Sequence, residues 1–349
     1  MLTTILKWAI LLASGGMLLL ALTPRLQKWL DRHGFIPDQY TYGDLYNVSN
    51  LKAFKEEDFN ESDALTDADK PSHYKDVHLY TIGDSFTKMD TSYYAGGRNV
   101  HVWIGGNSGV DVKLDKTKKN ILVIQFIERV LQERLYYPEY KEIYMDEGIT
   151  EAGHPTTPAS QPAEPTGLKE WIMTRFGSEI NQRLEFLLFN RWPFIQFKEA
   201  KAQLTLDAFG RVPGATISQD KKHLFYQLEA DSSFVLSAFR HIPDQRLDTL
   251  VTNLNTMRQH YLDMGFNEVY VCLIPNKVTI QNPTYGVYNH QIERIEASPR
   301  LQAPVISMID TLRQHPNWYH RGDGHWDKNG KRFWLRRVNT LVTKWSDER

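Results

Sequence analysis

The sequence predicts an α/β domain built on a parallel sheet with helices on both faces. Three observations carry this expectation. Short apolar runs recur at 78–82, 120–127 and 268–275, each bounded by polar or glycine residues, as buried strands are. The run 120–127 (NILVIQFI) is apolar almost without interruption, which suits a strand covered on both faces. Between and after the runs the period changes to that of a helix. Leu247, Leu250, Val251, Leu254, Met257 and Tyr261 share one helical face, as do Trp334, Val338, Leu341, Val342 and Trp345. Alternation of this kind folds into a parallel sheet.

The chain opens with a membrane-length segment. Residues 5–22 are apolar apart from Lys7 and Ser14, enough to cross a bilayer. No small-x-small cleavage signal follows, so 1–24 is expected to stay as a transmembrane anchor. Arg25, Lys28 and Arg32 follow it, and the positive-inside rule would keep the body cytoplasmic. Residues 25–75 show little periodicity and read as a spacer, acidic and Asn-rich over 52–70.

The α/β domain is expected over 76–140 and 240–349. Its strands are 78–82, 99–104 (NVHVWI, alternating), 120–127, 268–275 and 304–309. Gly265 is placed to stop the helix before the fourth strand. Residues 141–239 read as an insertion lying over one edge of the sheet. It has a proline-rich flexible loop at 144–169, a helical stretch at 171–204 and a turn-rich, β-like stretch at 209–231.

Composition excludes some partners. The formal net charge is −1, so no nucleic-acid-binding surface is implied. The single cysteine, Cys272, lies inside the strand VYVCLIP, so no internal disulfide can form. Most of the nine tryptophans are expected in the core, although a sugar site could stack some of them.

Two short segments carry chemistry. In 78–88 (HLYTIGDSFTK) a strand stops at Gly83, and Ser85 follows just past its carboxyl end, where open α/β sheets place their sites. Gly83 permits a tight turn, and Asp84 is expected to cap a following helix. In 321–331 (RGDGHWDKNGK) Asp323 and His325 stand two residues apart ahead of the last helix. A serine nucleophile needs a base, and the base needs an orienting carboxylate. Asp323-x-His325-x-Asp327 also offers three possible metal ligands, but Asp327 is better placed as the cap of the final helix, and no metal or cofactor is expected. Trp326 is expected to pack the histidine loop onto the core.

GDSF near the start of a domain and Asp-Gly-His-Trp near its end resemble the SGNH/GDSL hydrolase superfamily. The form is closest to the SGNH-like domains of alginate-type polysaccharide O-acetylation proteins and the related DHHW group. The resemblance spans roughly 76–140 and 240–345, with strong motifs only at the two ends. It implies a flavodoxin-like three-layer sandwich, with Ser85 as nucleophile, His325 as base and Asp323 as orienter. It also implies an oxyanion hole made from the Ser85 backbone N–H, a glycine matched by Gly105 or Gly106, and an asparagine. Where that asparagine is expected, the sequence has Glu128-Arg129. Arg129, paired with Glu128, is then a cationic substitute donor; a surface ion pair is the alternative, and Asn107 is a second-choice donor.

The resemblance further implies an extracytoplasmic body, against the charge count, and we adopt that orientation. The expected function is O-acetyl transfer to a cell-envelope or exported polysaccharide. A carbohydrate acetyl esterase, or a non-catalytic scaffold in polysaccharide assembly, are the alternatives. Expected partners are an acetylated or acceptor carbohydrate and a multi-span membrane acyltransferase.

Overall fold

The apolar runs become the strands of one parallel sheet. The structure, a computed structural model of the 349-residue chain, describes residues 2–23, 26, 29–30, 33, 41–104, 109–137, 148–151, 184, 188–190 and 192–347. The backbone divides into two compact units, Met1–Phe59 with Thr157–Pro213, and Asn60–Thr156 with Gly214–Arg349. The stretch 141–239, expected as one insertion, is therefore shared between them, and 214–239 belongs to the same unit as the sheet. The proline-rich stretch 144–169 lies outside the described residues apart from 148–151.

The strands are β1 (Tyr74–Gly83), β2 (Gly96–Trp103), β3 (Val110–Val112), β4 (Lys119–Ile127), β5 (Ile149–Glu151), β6 (Ala215–Ile217), β7 (Leu224–Tyr226) and β8 (Glu268–Ile274). The helices used below are α1 (Leu2–Leu22), α2 (Asp44–Ser49), α3 (Glu128–Tyr136), α4 (Phe194–Phe209), α5 (Gln227–Ala230), α6 (Asp244–Asp263), α7 (Lys277–Gln281), α8 (Gln291–Glu296), α9 (Ile309–Gln314) and α10 (Lys328–Asp347).

In the second unit the main sheet has the order β2-β1-β4-β8, and every neighbouring pair is parallel. After an irregularity between Tyr74 and His78 the register is continuous, with Tyr80 opposite both Val100 on β2 and Leu122 on β4. The segment 304–309, expected as a full fifth strand, contributes only one parallel bridge, Val305 to Val271. The reason is local. Pro304 has no N–H to give a ladder, Met308 has already turned into helical backbone, and α9 begins at Ile309. β6 and β7 form an antiparallel hairpin, as the turn-rich stretch suggested.

The helical faces bury as the periodicity requires. Leu247, Leu250, Val251, Leu254, Met257 and Tyr261 of α6 are all buried, and α6 packs on α3 and β8. Gly265, at φ 104°, ends the run where a side chain would be strained. On α10, which packs on β1, Trp334, Val338 and Val342 are fully buried. Each such side chain contributes about 1.5–3 kcal/mol relative to exposure. Cys272 is buried in β8 with a free thiol.

In the first unit α1 is apolar apart from Thr3, Thr4, Lys7 and Ser14, with mean hydropathy 1.6 over Thr3–Leu20. It is the one described helix long and apolar enough to cross a membrane. The stretch 25–75, expected as a spacer, is partly folded: Leu45, Tyr46, Leu51 and Phe54 are buried. A tyrosine–carboxylate pair explains some of this order. The Tyr46 hydroxyl on α2 donates to Glu199 Oε1 on α4 at 2.7 Å, and burial followed by Glu199 raises the Tyr46 pKa.

Candidate active site

The strand order fixes where a site can form. The chain leaves β1 for β2 on one side, then crosses to β4 on the other, so the direction of winding switches between β1 and β4. In open α/β sheets the crevice opens outside the carboxyl ends of the strands at such a switch. β1 ends at Gly83 and β4 at Ile127, so Ser85 and the Glu128-Arg129 pair both start there.

Past Gly83 the backbone makes a turn over Asp84–Thr87 rather than entering a helix, and no helix follows directly. Asp84 therefore caps a turn: its Oδ1 accepts from Phe86 N at 3.0 Å, and Thr87 N donates to Asp84 O at 3.2 Å. Gln125 of β4 completes the turn. Its Oε1 accepts from Asp84 N at 3.0 Å and from Thr87 Oγ1 at 3.2 Å. Gly83 is needed for space, not for a left-handed backbone. A Cβ there would stand 2.6 Å from Gln125 Oε1, and closer still to Thr87 Oγ1.

The second segment is held from three sides. Tyr319 and Trp326 form an antiparallel bridge across its ends. His320 N donates to His325 O at 3.1 Å. Lys277, at the start of α7 and almost fully buried, donates from Nζ to Arg321 O at 2.9 Å and to Asp323 O at 3.0 Å. Trp326 is fully buried and its Nε1 donates to Phe86 O at 3.1 Å, which ties the histidine loop to the serine turn. The Phe86 ring lies against both the His325 ring and the Trp326 ring, at 4.7 Å and 5.2 Å.

These supports bring Ser85 to the Asp323–His325 pair, 240 residues further along the chain. Ser85 Oγ and His325 Nε2 are 2.6 Å apart. His325 Nδ1 is 2.6 Å from Asp323 Oδ1, which also accepts from His325 N at 2.8 Å. Asp323 is buried, whereas Ser85 and His325 are partly open. A neutral imidazole with its proton on Nδ1 presents the Nε2 lone pair to the serine hydroxyl. Asp327 takes no part. Its Oδ1 accepts from Asn329 N at 2.7 Å and Gly330 N at 3.2 Å, so it caps α10.

The expected donors for an oxyanion divide three ways. Gly105, Gly106 and Asn107 lie outside the described residues. The Ser85 N–H makes no hydrogen bond among the described residues, while the neighbouring Phe86 N–H is committed to Asp84. Arg129 is present at the switch point, but its expected pairing with Glu128 is wrong. Arg129 Nη1 donates to Glu229 Oε1 of α5 at 2.6 Å, and its guanidinium lies over the Tyr226 ring. Glu128 points the other way. Its Oε2 accepts from Asn276 N at 2.8 Å and Thr279 Oγ1 at 2.6 Å. The first residue of a helix and the second diverge by about 100°, so adjacent residues at 128 and 129 do not share a face.

The charges of this corner act on one another. Burial disfavours the Arg129 cation, but Glu229, with Asp84 a lesser contributor, holds its pKa above the ordinary arginine value. Burial raises the Glu229 carboxyl, while Arg129, Lys277 and His325 pull it back. Burial also pushes Glu128 up to about 7, against the hydrogen bonds from Thr279 and Asn276.

Gln125, Lys277 and Glu229 went unnoticed in the sequence. Gln125 had a signal: it is the one polar side chain inside the apolar run 121–127. Lys277 had a weaker one, standing three residues past the carboxyl end of β8. Glu229 had none. No family model, curated protein or solved structure matches the chain.

Proposed function

We propose that the chain is a membrane-anchored serine acyl-transfer enzyme of the SGNH type, an O-acetyltransferase acting on a cell-envelope or exported polysaccharide. One observation carries the reading: the unbroken Ser85–His325–Asp323 relay, at 2.6 Å and 2.6 Å, assembled from segments 240 residues apart. Two further facts support it. Counting the Val305 bridge as a fifth position, the sheet runs 2-1-3-4-5 in order of appearance, the flavodoxin-like order. The GDSF and Asp-Gly-His-Trp segments resemble the end motifs of that superfamily.

In this mechanism Ser85 Oγ attacks the acetyl carbonyl as His325 Nε2 takes its proton. Asp323 fixes the imidazole tautomer and stabilises the imidazolium. The Ser85 N–H and the Arg129 guanidinium are the donors offered to the oxyanion. Collapse expels the donor alcohol, which receives the proton from His325, and leaves acetyl-Ser85. A sugar hydroxyl, deprotonated by His325, then takes the acetyl group and regenerates Ser85. Water in place of the sugar gives an esterase. The body lies outside the cytoplasm, and a multi-span membrane acyltransferase is the proposed acetyl supplier.

The test is turnover of an activated acetyl ester by the detergent-solubilised chain, with and without an oligosaccharide acceptor. Acetylated oligosaccharide, detected by mass spectrometry and lost in Ser85→Ala, is the expected product. Acetate alone would assign the esterase. No turnover of any acetyl ester would contradict the reading.

A further inference from the structure

A pocket of about 460 Å³ lies between α3 and the start of α6, apart from the Ser85 site. Gln132 and Tyr136 form one wall, and Arg240, His241, Arg246 and Thr249 form much of the other. No acidic side chain lines it among the described residues. Asp244, between the lining residues Pro243 and Gln245 in sequence, is engaged elsewhere, accepting from Arg294 Nη2 at 2.6 Å. The pocket also faces the amino-terminal turn of a 20-residue helix, the positive end of its dipole.

Arg246 is the informative residue. Its guanidinium lies over the Tyr136 ring, 4.0 Å from the centroid. Stacking fixes the plane and leaves the edge of the fork to be satisfied. Its Nε and Nη2 are both buried and have no acceptor among the described residues. Buried donors without acceptors are destabilising, and a ligand oxygen would relieve that cost. Elsewhere in this molecule the same edge is filled by a carboxylate. Arg258 Nε and Nη2 grip Glu268 at 2.9 Å and 3.0 Å, and Arg332 Nε and Nη2 grip Asp69 at 2.7 Å and 3.1 Å. On Arg246 the same two atoms have no carboxylate partner among the described residues.

We propose that this pocket binds an oxyanion carried by a ligand, a carboxylate or phosphate group, through the Nε–Nη2 edge of Arg246. Arg240 and His241 add donors at the rim. Arg240 is already anchored, its Nη1 donating to Ser233 O at 2.8 Å, so its remaining N–H groups are held in place. The neutral lining of Gln132 and Thr249 suits the hydroxyls of an acidic sugar. The proposal does not depend on the chemistry at Ser85.

The experiment is calorimetric titration of the detergent-solubilised full chain at low ionic strength with trigalacturonate, glucose 1-phosphate and maltotriose. Binding of either charged sugar and not of maltotriose is expected. The stronger of the two identifies carboxylate or phosphate as the preferred group. Arg246→Gln should weaken binding about tenfold or more, Arg246→Lys should recover only part of it because a lysine cannot make the paired contact, and Ser85→Ala should leave it unchanged. If Arg246→Gln does not fold, the exposed rim variants Arg240→Gln and His241→Ala carry the test, each with a severalfold loss expected. Absence of binding by both charged sugars, equal binding of maltotriose, or binding indifferent to these substitutions would overturn the proposal.

Discussion

Gly83 shows how a residue can be right for a reason its sequence context hides. A turn after a strand suggests backbone freedom, yet the structure requires the absence of a side chain against Gln125 and Thr87. Gly83→Ala should therefore cost about 1–3 kcal/mol in denaturant unfolding and lower any Ser85-dependent activity, because the turn that carries Ser85 must shift. Gln125→Leu should do the second with less of the first. Arg129 and Glu229 make a buried pair at the same corner. Arg129→Met alone should cost on the order of 3–5 kcal/mol by leaving Glu229 uncompensated, and adding Glu229→Met should restore most of it. Glu128 gives a pH signature. Its folded pKa, raised to about 7, lies above its unfolded value, so the folded state holds the proton more tightly. Its contribution is fully present below about pH 4.5 and is lost as pH rises to about 7. The loss is on the order of 1–3 kcal/mol. In Glu128→Gln this component of the stability–pH profile should vanish. An unchanged profile would show that another group titrates. Ser85, Asp323 and His325 were legible because each belongs to a short local motif. The roles of Gln125, Lys277 and Glu229 were not, whatever signal their positions gave, because they come from pairings across 38–41, 44–46 and 100 residues of chain.

At the scale of elements, periodicity located the buried faces of α6 and α10, and the last helix, expected over 331–345, to within about three residues, since a face that must be buried leaves its mark at every turn. The segment 304–309 was misread because an apolar run has the same look whether it pairs along its length or, as here, at one residue. The buried residues of α2 and its neighbours were missed for the opposite reason: a six-residue helix is too short to show a period. Two predictions belong here. Asp327→Ala should destabilise the protein by about 1 kcal/mol through loss of the α10 cap, with little effect on the serine–histidine contact. Removal of 1–24 should move the protein from the membrane to the soluble fraction with its melting temperature nearly unchanged, because no other described helix is long and apolar enough to span. Membrane association that persists without α1 would point to a second lipid or protein contact.

For the whole molecule, the sheet gives the site its place. The strand order puts the winding switch between β1 and β4, and the loop 320–327 returns there from the far end of the chain. The motif at each end of the sequence indicated chemistry, but only the fold brings them to hydrogen-bonding distance. The central claim is that this contact makes Ser85 a nucleophile. The most direct measurement is covalent labelling of the intact chain by a serine-directed fluorophosphonate, read by mass spectrometry of the modified peptide. The claim predicts a single adduct on Ser85, slowed on the order of a thousandfold or more in His325→Ala and absent in Ser85→Ala, with Asp323→Asn impaired no more than His325→Ala and all variants still folded. An unlabelled Ser85 in the folded wild-type protein, or labelling that is equally fast in His325→Ala, would contradict it.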